Sequence, residues 1–216
     1  MLSKILSSAV IGVDAYVIEV EVDISPGLPF FSTVGLPDNA VKESKDRVKA
    51  AIKNSGYEFP AMRITVNLAP ADIKKEGTSF DLPISVGILS AQKLIKTERL
   101  LDYIILGELS LDGRIKPIKG ILPMAIAAKT AKLKGIILPR ENAEEAALVE
   151  GIDAIPVENL SHLVEFLNGN LEIKPCRIDI NTLFKKDNET HLDLSEVKGN
   201  EHVKRALEIP AAGGHN

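Results

Sequence analysis

The chain has 216 residues, 45% of them hydrophobic but only 4% aromatic, with no tryptophan. It is longer than one average domain and shorter than two, and any core it builds must be aliphatic. A net charge of -4 excludes a polyanion binder acting through overall charge alone.

Residues 8–24 alternate Val and Ile with polar residues and predict an antiparallel hairpin broken near Gly12 to Ala15. Tyr16, Ile18, Val20 and Val22 share one face, and Glu19, Glu21 and Asp23 the other. Pro26-Gly27 marks a turn, and Phe30 to Val34 a short strand. Residues 37–55 read as a helix, with Pro37 and Asp38 as start signals and Gly56 as stop. Val41, Val48 and Ile52 lie on its apolar face. Lys42, Lys45, Lys49 and Lys53 form a basic stripe, because their spacing keeps them within one narrow arc.

Arg63 to Leu68 is a strand and residues 69–79 a polar loop. Leu82 to Leu94 predicts an apolar, largely buried helix. Tyr103 to Leu106 is a short buried strand, and residues 107–119 a hairpin turning at Asp112-Gly113. Helices over 120–133, 142–150 and 160–167 alternate with strands over 135–139 and 154–157. That alternation implies parallel βαβ pairing. The expected fold class is therefore α/β, as a two-layer α+β arrangement: one mixed sheet with helices packed on it. The expected organisation is a domain over 1–170, a polar linker over 171–192 and a distinct tail over 193–216.

Charge is unevenly placed. Between Val41 and Glu76 eight Lys/Arg stand against five Asp/Glu, and between Glu141 and Asn170 seven Asp/Glu face no Lys/Arg. The first region could meet nucleic acid; the plainer reading of the same lysines is a solvated helix face. The single cysteine, Cys176, allows no internal disulfide and suits a reducing, cytoplasmic setting. The opening residues lack a sustained apolar run and carry Asp14, unlike a signal peptide. No stretch approaches the roughly 20 apolar residues of a membrane span.

Self-contained catalysis is hard to find in these residues. There is no Gly-rich phosphate loop and no dinucleotide fingerprint. His162, His191, His202 and His215 lack metal-ligand spacing, so no metal site is expected. Ser79, after a Gly-containing turn, is a conceivable nucleophile. The plainer expectation is that Ser79 or Asp81 caps the helix beginning at Leu82.

Three segments nevertheless resemble the proteolytic domain of Lon: KEGTSFD at 75–81, GELSLDGRIKPIKGIL at 107–122 and AKLKGIILPREN at 131–142. The resemblance implies a Lon protease-like fold, of the kind also seen in domain 2 of ribosomal protein S5. It places Ser79 on the nucleophile and Leu122 on the lysine that serves as its base. A serine hydroxyl attacks only when a neighbouring base takes its proton. Lysine can do so when burial lowers its pKa, but leucine has no lone pair. The resemblance thus implies a pseudo-dyad, Ser79 and Leu122, and no catalytic residue. A Ser79 hydrolase with an unidentified base is the enzymatic alternative, and a pure oligomerisation module is another.

Residues 8–36, 66–84 and the tail DLSEVKGNEHVKRALEIPAAGGHN at 193–216 are similar to the ComM/YifB family of Mg-chelatase-like AAA+ ATPases. The resemblance extends over essentially the whole sequence. It implies that this is the part ahead of an ATPase core, ending before the nucleotide-binding loop. No cofactor is expected in these residues, and ATP and Mg are expected for the full-length protein. The implied partners are its own ATPase core, further copies in a ring, and DNA met through Lys42, Lys45, Lys49 and Lys53; no membrane is implied. Within the tail, residues 201–209 read as an amphipathic helix with an apolar edge of Val203, Leu207 and Ile209. Without the core to cover that edge, the tail is expected to fray.

Overall fold

The computed structural model describes residues 1–178 and 197–213. Most of the expected linker and the Gly214–Asn216 end lie outside the described residues. The chain divides into two compact units, Met1–Ile178 and Asp179–Asn216.

In the first unit, strands β1 (Leu2–Ile11) and β2 (Asp14–Ser25) form a long antiparallel hairpin. β3 (Phe30–Val34) leads to helix α1 (Asn39–Asn54), β4 (Arg63–Ala69) and helix α2 (Asp81–Ala91). β5 (Tyr103–Ile105) is followed by a small hairpin of β6 (Glu108–Leu109) and β7 (Ile115–Lys116). Then come α3 (Ile121–Thr130), β8 (Gly135–Pro139), α4 (Ala143–Ala147), β9 (Asp153–Val157) and α5 (Leu160–Asn168). The main sheet has seven strands in the order β3-β4-β2-β1-β5-β8-β9. β1, β2 and β4 pair antiparallel, while β3 with β4, and β1, β5, β8 and β9 in turn, pair parallel. This is the mixed α/β sheet expected from the sequence.

Alternation along the strands builds two cores. Ile105, Ile137 and Ile155 join one cluster with α1, α2 and α5, whereas Ile104, Ile136 and Ala154 join another with α3 and α4. Successive strand residues point to opposite faces, so helices cover both faces of the β5-β8-β9 half. The β1-β2-β4 half is covered throughout on one face. On the other face α3 packs on the Ala15 and Val17 end of the hairpin, and beyond it runs a polar ladder in which Lys4 pairs with Glu19 and Glu21, and Asn67 donates to Glu21. α2 is central, and all eleven of its residues are buried. The helix therefore lacks an amphipathic pattern, as an element surrounded by protein must.

Several boundaries differ from the sequence expectation. β1 begins at Leu2, six residues before the expected hairpin, because Ser3 and Ser7 occupy buried positions that a hydrophobic pattern does not flag. The Ser3 hydroxyl is satisfied there by the Gly87 carbonyl at 2.7 Å. α2 ends at Ala91 rather than Leu94, since Lys93 adopts a left-handed φ of 63° and Leu94 N–H returns to the Leu89 carbonyl. α4 is shorter than the expected 142–150 and is preceded by a 3-10 turn over Arg140–Asn142. Residues 171–178 run on within the first unit, where Cys176 N–H donates to the Ala154 carbonyl.

In the second unit, Glu201–Gly213 form helix α6, although fraying was expected. Asn200 opens it by accepting the Val203 and Lys204 N–H groups at its carbonyl, and Lys204–Glu201 and Arg205–Glu208 pairs run along it. Val203, Leu207 and Ile209 are all exposed, as expected. Among the described residues no helix is long and apolar enough to cross a membrane.

Candidate functional site

The segment resembling a serine-nucleophile motif is fixed by two loops. Asp38 caps α1 by accepting from Val41 N–H at 2.8 Å, and its other oxygen accepts from Gly77 N–H at 3.1 Å. Lys75 is stitched to the same loop through its N–H to Leu36 and its carbonyl to Asp38 N–H. On the other side, the Thr78 hydroxyl donates to Glu108 and Gly107 N–H donates to the Ser79 carbonyl.

Neither Ser79 nor Asp81 caps α2, contrary to expectation. The N-cap position is Phe80, and no side chain bonds there. The Gly107 carbonyl accepts Leu82 N–H at 3.0 Å instead, so the acceptor is backbone brought from the β5–β6 connection. Asp81 is thereby released for a different role. It is fully buried and takes two parallel bonds from Arg47 of α1, from Nε at 2.7 Å and Nη2 at 3.0 Å. Leu109 N–H adds a third at 3.2 Å. Burial pushes the Asp81 carboxyl up to about 6, against the pull of Arg47 and of Leu109 N–H.

Ser79 is 8% exposed, and its hydroxyl has no hydrogen-bond partner among the described residues. Leu122, its expected counterpart, is 38% exposed in the first turn of α3, and its N–H donates to Glu145. The small hairpin forms as expected, with Gly113 at a φ of 87° in the turn. Lys116 and Lys119 on and after it are exposed. Asn142 bonds both the N–H and the carbonyl of Ile118, at 2.9 and 3.0 Å, and so holds the connection between β7 and α3.

Lys75 carries a signal that sequence reading missed. The composition around it reads as a polar loop, yet it is fully buried, and its ammonium group donates to the Pro70 carbonyl. Burial lowers its pKa. No acidic group lies within ion-pair distance of it among the described residues. Arg47 was also missed, because its partner lies 34 residues away.

The basic stripe is formed as expected. Lys42, Lys45, Lys49 and Lys53 are all exposed on α1, and none joins an ion pair among the described residues. The buried residues of α1 are Val41, Ser44, Val48, Ala51 and Ile52.

Comparison with known proteins places this geometry. The family model described as subunit ChlI of Mg-chelatase matches residues 20–142. Competence protein ComM of Haemophilus influenzae is 41% identical over 217 residues, covering all of this chain and 42% of that protein. YifB of Escherichia coli is 42% identical over 216 residues, again with 42% of its length covered. Lon protease 2 of Bacillus subtilis is 32% identical over 144 residues, which is 65% of this chain and 25% of that protein. The fold and the Ser79 segment define a Lon-like α/β protein. The chain belongs to the Mg-chelatase-like ComM/YifB family, and it spans about two fifths of the length of these curated relatives.

Proposed function

We propose that this chain acts as a non-catalytic domain of a Mg-chelatase-like AAA+ ATPase and contributes DNA contact through α1. Lys42, Lys45, Lys49 and Lys53 carry the reading: four exposed cations on one helix face, without an ion-pair partner among the described residues, meet the requirement for phosphate contacts. The name of the Haemophilus relative, a competence protein, agrees with a role in handling DNA, which we extend to ATP-driven DNA remodelling such as branch migration. ATP and Mg belong, in this reading, to the remainder of the full-length protein, as does closure of a ring of copies. The absence of catalysis is supported by Leu122 at the base position and by a Ser79 hydroxyl that no base engages among the described residues.

Charge reversal tests the DNA reading. Replacing the four lysines by Glu in the full-length protein is expected to weaken duplex binding and flatten its salt dependence. Unchanged affinity across a salt series would remove the idea. A serine-reactive phosphonate separates the hydrolase alternative: labelling of Ser79 would establish an activated hydroxyl and overturn the non-catalytic assignment.

An oligomerisation role alone is favoured by the edge strand β3 and its flanks, where Phe30 and Val34 on the strand and Leu28 and Leu36 beside it are exposed. Light scattering addresses it directly, and a strict monomer at high concentration counts against it.

A further inference from the structure

The turn leading into α2 holds donors for which the protein provides no acceptor. The first donors of the helix itself are engaged: Asp81 N–H bonds the Thr78 carbonyl, Leu82 N–H that of Gly107 and Ile84 N–H that of Phe80, while Pro83 has no N–H. In contrast, the N–H groups of Thr78, Ser79 and Phe80 find no acceptor among the described residues. The Ser79 hydroxyl is likewise without a partner. Ser79 is 8% and Phe80 1% exposed. Orphaned buried amides are rare in folded proteins. Two buried ones in succession, at Ser79 and Phe80, preceded by the half-buried Thr78 amide and beside a free hydroxyl, point to an acceptor supplied from outside.

Asp38 and Glu108 keep their charge beside the turn, so an anion there is held by hydrogen bonds and helix dipoles rather than by net positive charge. Two helices, α1 and α2, bring their N-terminal ends to this turn, joined through Asp38, and each contributes the positive end of its dipole. The nearby carboxylates are already held. Asp38 bonds two backbone N–H groups, Asp81 bonds Arg47, and Glu108 accepts the Thr78 hydroxyl.

We propose that the Thr78–Phe80 turn binds a phosphate oxyanion, held by its three amides and the Ser79 hydroxyl. The ligand chemistry is shared by a free phosphate group and by the DNA backbone. Only the second source rests on the DNA reading given above.

Amide-resolved NMR of the chain, titrated with inorganic phosphate at ionic strength matched by chloride, tests the proposal. The Thr78, Ser79 and Phe80 amide signals are expected to move saturably with phosphate and not with chloride. Ser79→Ala is expected to weaken binding about fivefold through loss of one hydrogen bond. Ser79→Asp, whose own carboxylate fills the turn, is expected to abolish the response. Unmoved amides in the wild type, or an equal response to chloride, would overturn the proposal. A second arm adds duplex DNA. Displacement of phosphate from these amides identifies the nucleic-acid backbone as the source. A phosphate response that DNA leaves untouched assigns the turn to a small phosphorylated ligand. The variant with Lys42, Lys45, Lys49 and Lys53 replaced by Glu keeps the two readings apart, since it removes the stripe and leaves the turn intact.

Discussion

Arg47 and Asp81 join α1 to the start of α2 through a two-pronged ion pair, at 2.7 and 3.0 Å. The Asp81 side chain is wholly buried and that of Arg47 about a quarter exposed, so the carboxylate depends on the guanidinium for compensation. The same carboxylate also holds Leu109 N–H, and the pair thereby ties both helices to the small hairpin.

Removing the guanidinium is expected to be costly. Arg47→Ala leaves a buried carboxylate without its counter-ion and should lose about 3 kcal/mol at neutral pH in urea unfolding. Arg47→Lys keeps the charge without the fork and should recover only part of it. A loss below about 1 kcal/mol for the alanine variant would show that the pair is not what holds the helices together.

The pH dependence follows from the raised pKa of Asp81. Its carboxyl sits at about 6 in the folded protein against an ordinary value of 3.8, so folding favours the protonated form. The contribution is complete below pH 3.8 and is lost as pH rises through 6. The span corresponds to about 3 kcal/mol at most. Thermal unfolding across that window should show wild-type stability declining with pH and Asp81→Asn lacking that component. Parallel curves for the two proteins would contradict the assignment.

Lys75 should be replaceable. Its ammonium is fully buried with one carbonyl acceptor, and burial depresses its pKa. Lys75→Met keeps the length of the side chain and removes the cost of burying charge. The variant is expected to match the wild type within about 1 kcal/mol, or to exceed it. A depressed lysine contributes stability above its unfolded pKa and loses it as pH falls through the folded value. Wild type should therefore gain stability in the alkaline range while Lys75→Met does not. A loss beyond about 3 kcal/mol would mean that the lysine holds its loop in a way no apolar chain can.

Gly135 tests the packing of the parallel strands. A Cβ at this position would lie 2.0 Å from the Asp153 carbonyl oxygen, which is backbone and cannot rotate away. Gly135→Ala is expected to force β8 and β9 apart at a cost of about 1–3 kcal/mol. Faster amide exchange in Asp153–Val157 would report it, and wild-type protection there would refute it.

Local chemistry made much of this fold legible. Asp38, Gly56 and the spacing of Val41, Val48 and Ile52 fixed α1 to within a residue or two, because a cap and a periodic face are written side by side. Asp112-Gly113 did the same for the small hairpin. What escaped was set by contacts distant in sequence. The acceptor for Leu82 N–H is Gly107, so nothing near Ser79 revealed that a side-chain cap was unnecessary. Lys75 read as loop because its composition is polar, and only the stitching of 69–79 to the Leu36–Asp38 segment buries it. The unengaged amides of 78–80 have no sequence signature, since every residue except proline carries an N–H.

The place of β1 in the sheet has a consequence for synthesis. Leu6 pairs with Glu19 almost as soon as the hairpin emerges from the ribosome, but its parallel neighbour on the other side is Ile104. Strand β1 must therefore wait, with one edge open, until about a hundred further residues have been translated. At typical elongation rates of roughly 5–20 residues per second, that exposure lasts many seconds. Vectorial folding would thus proceed from the β1–β2 hairpin outward and close only when β5 arrives.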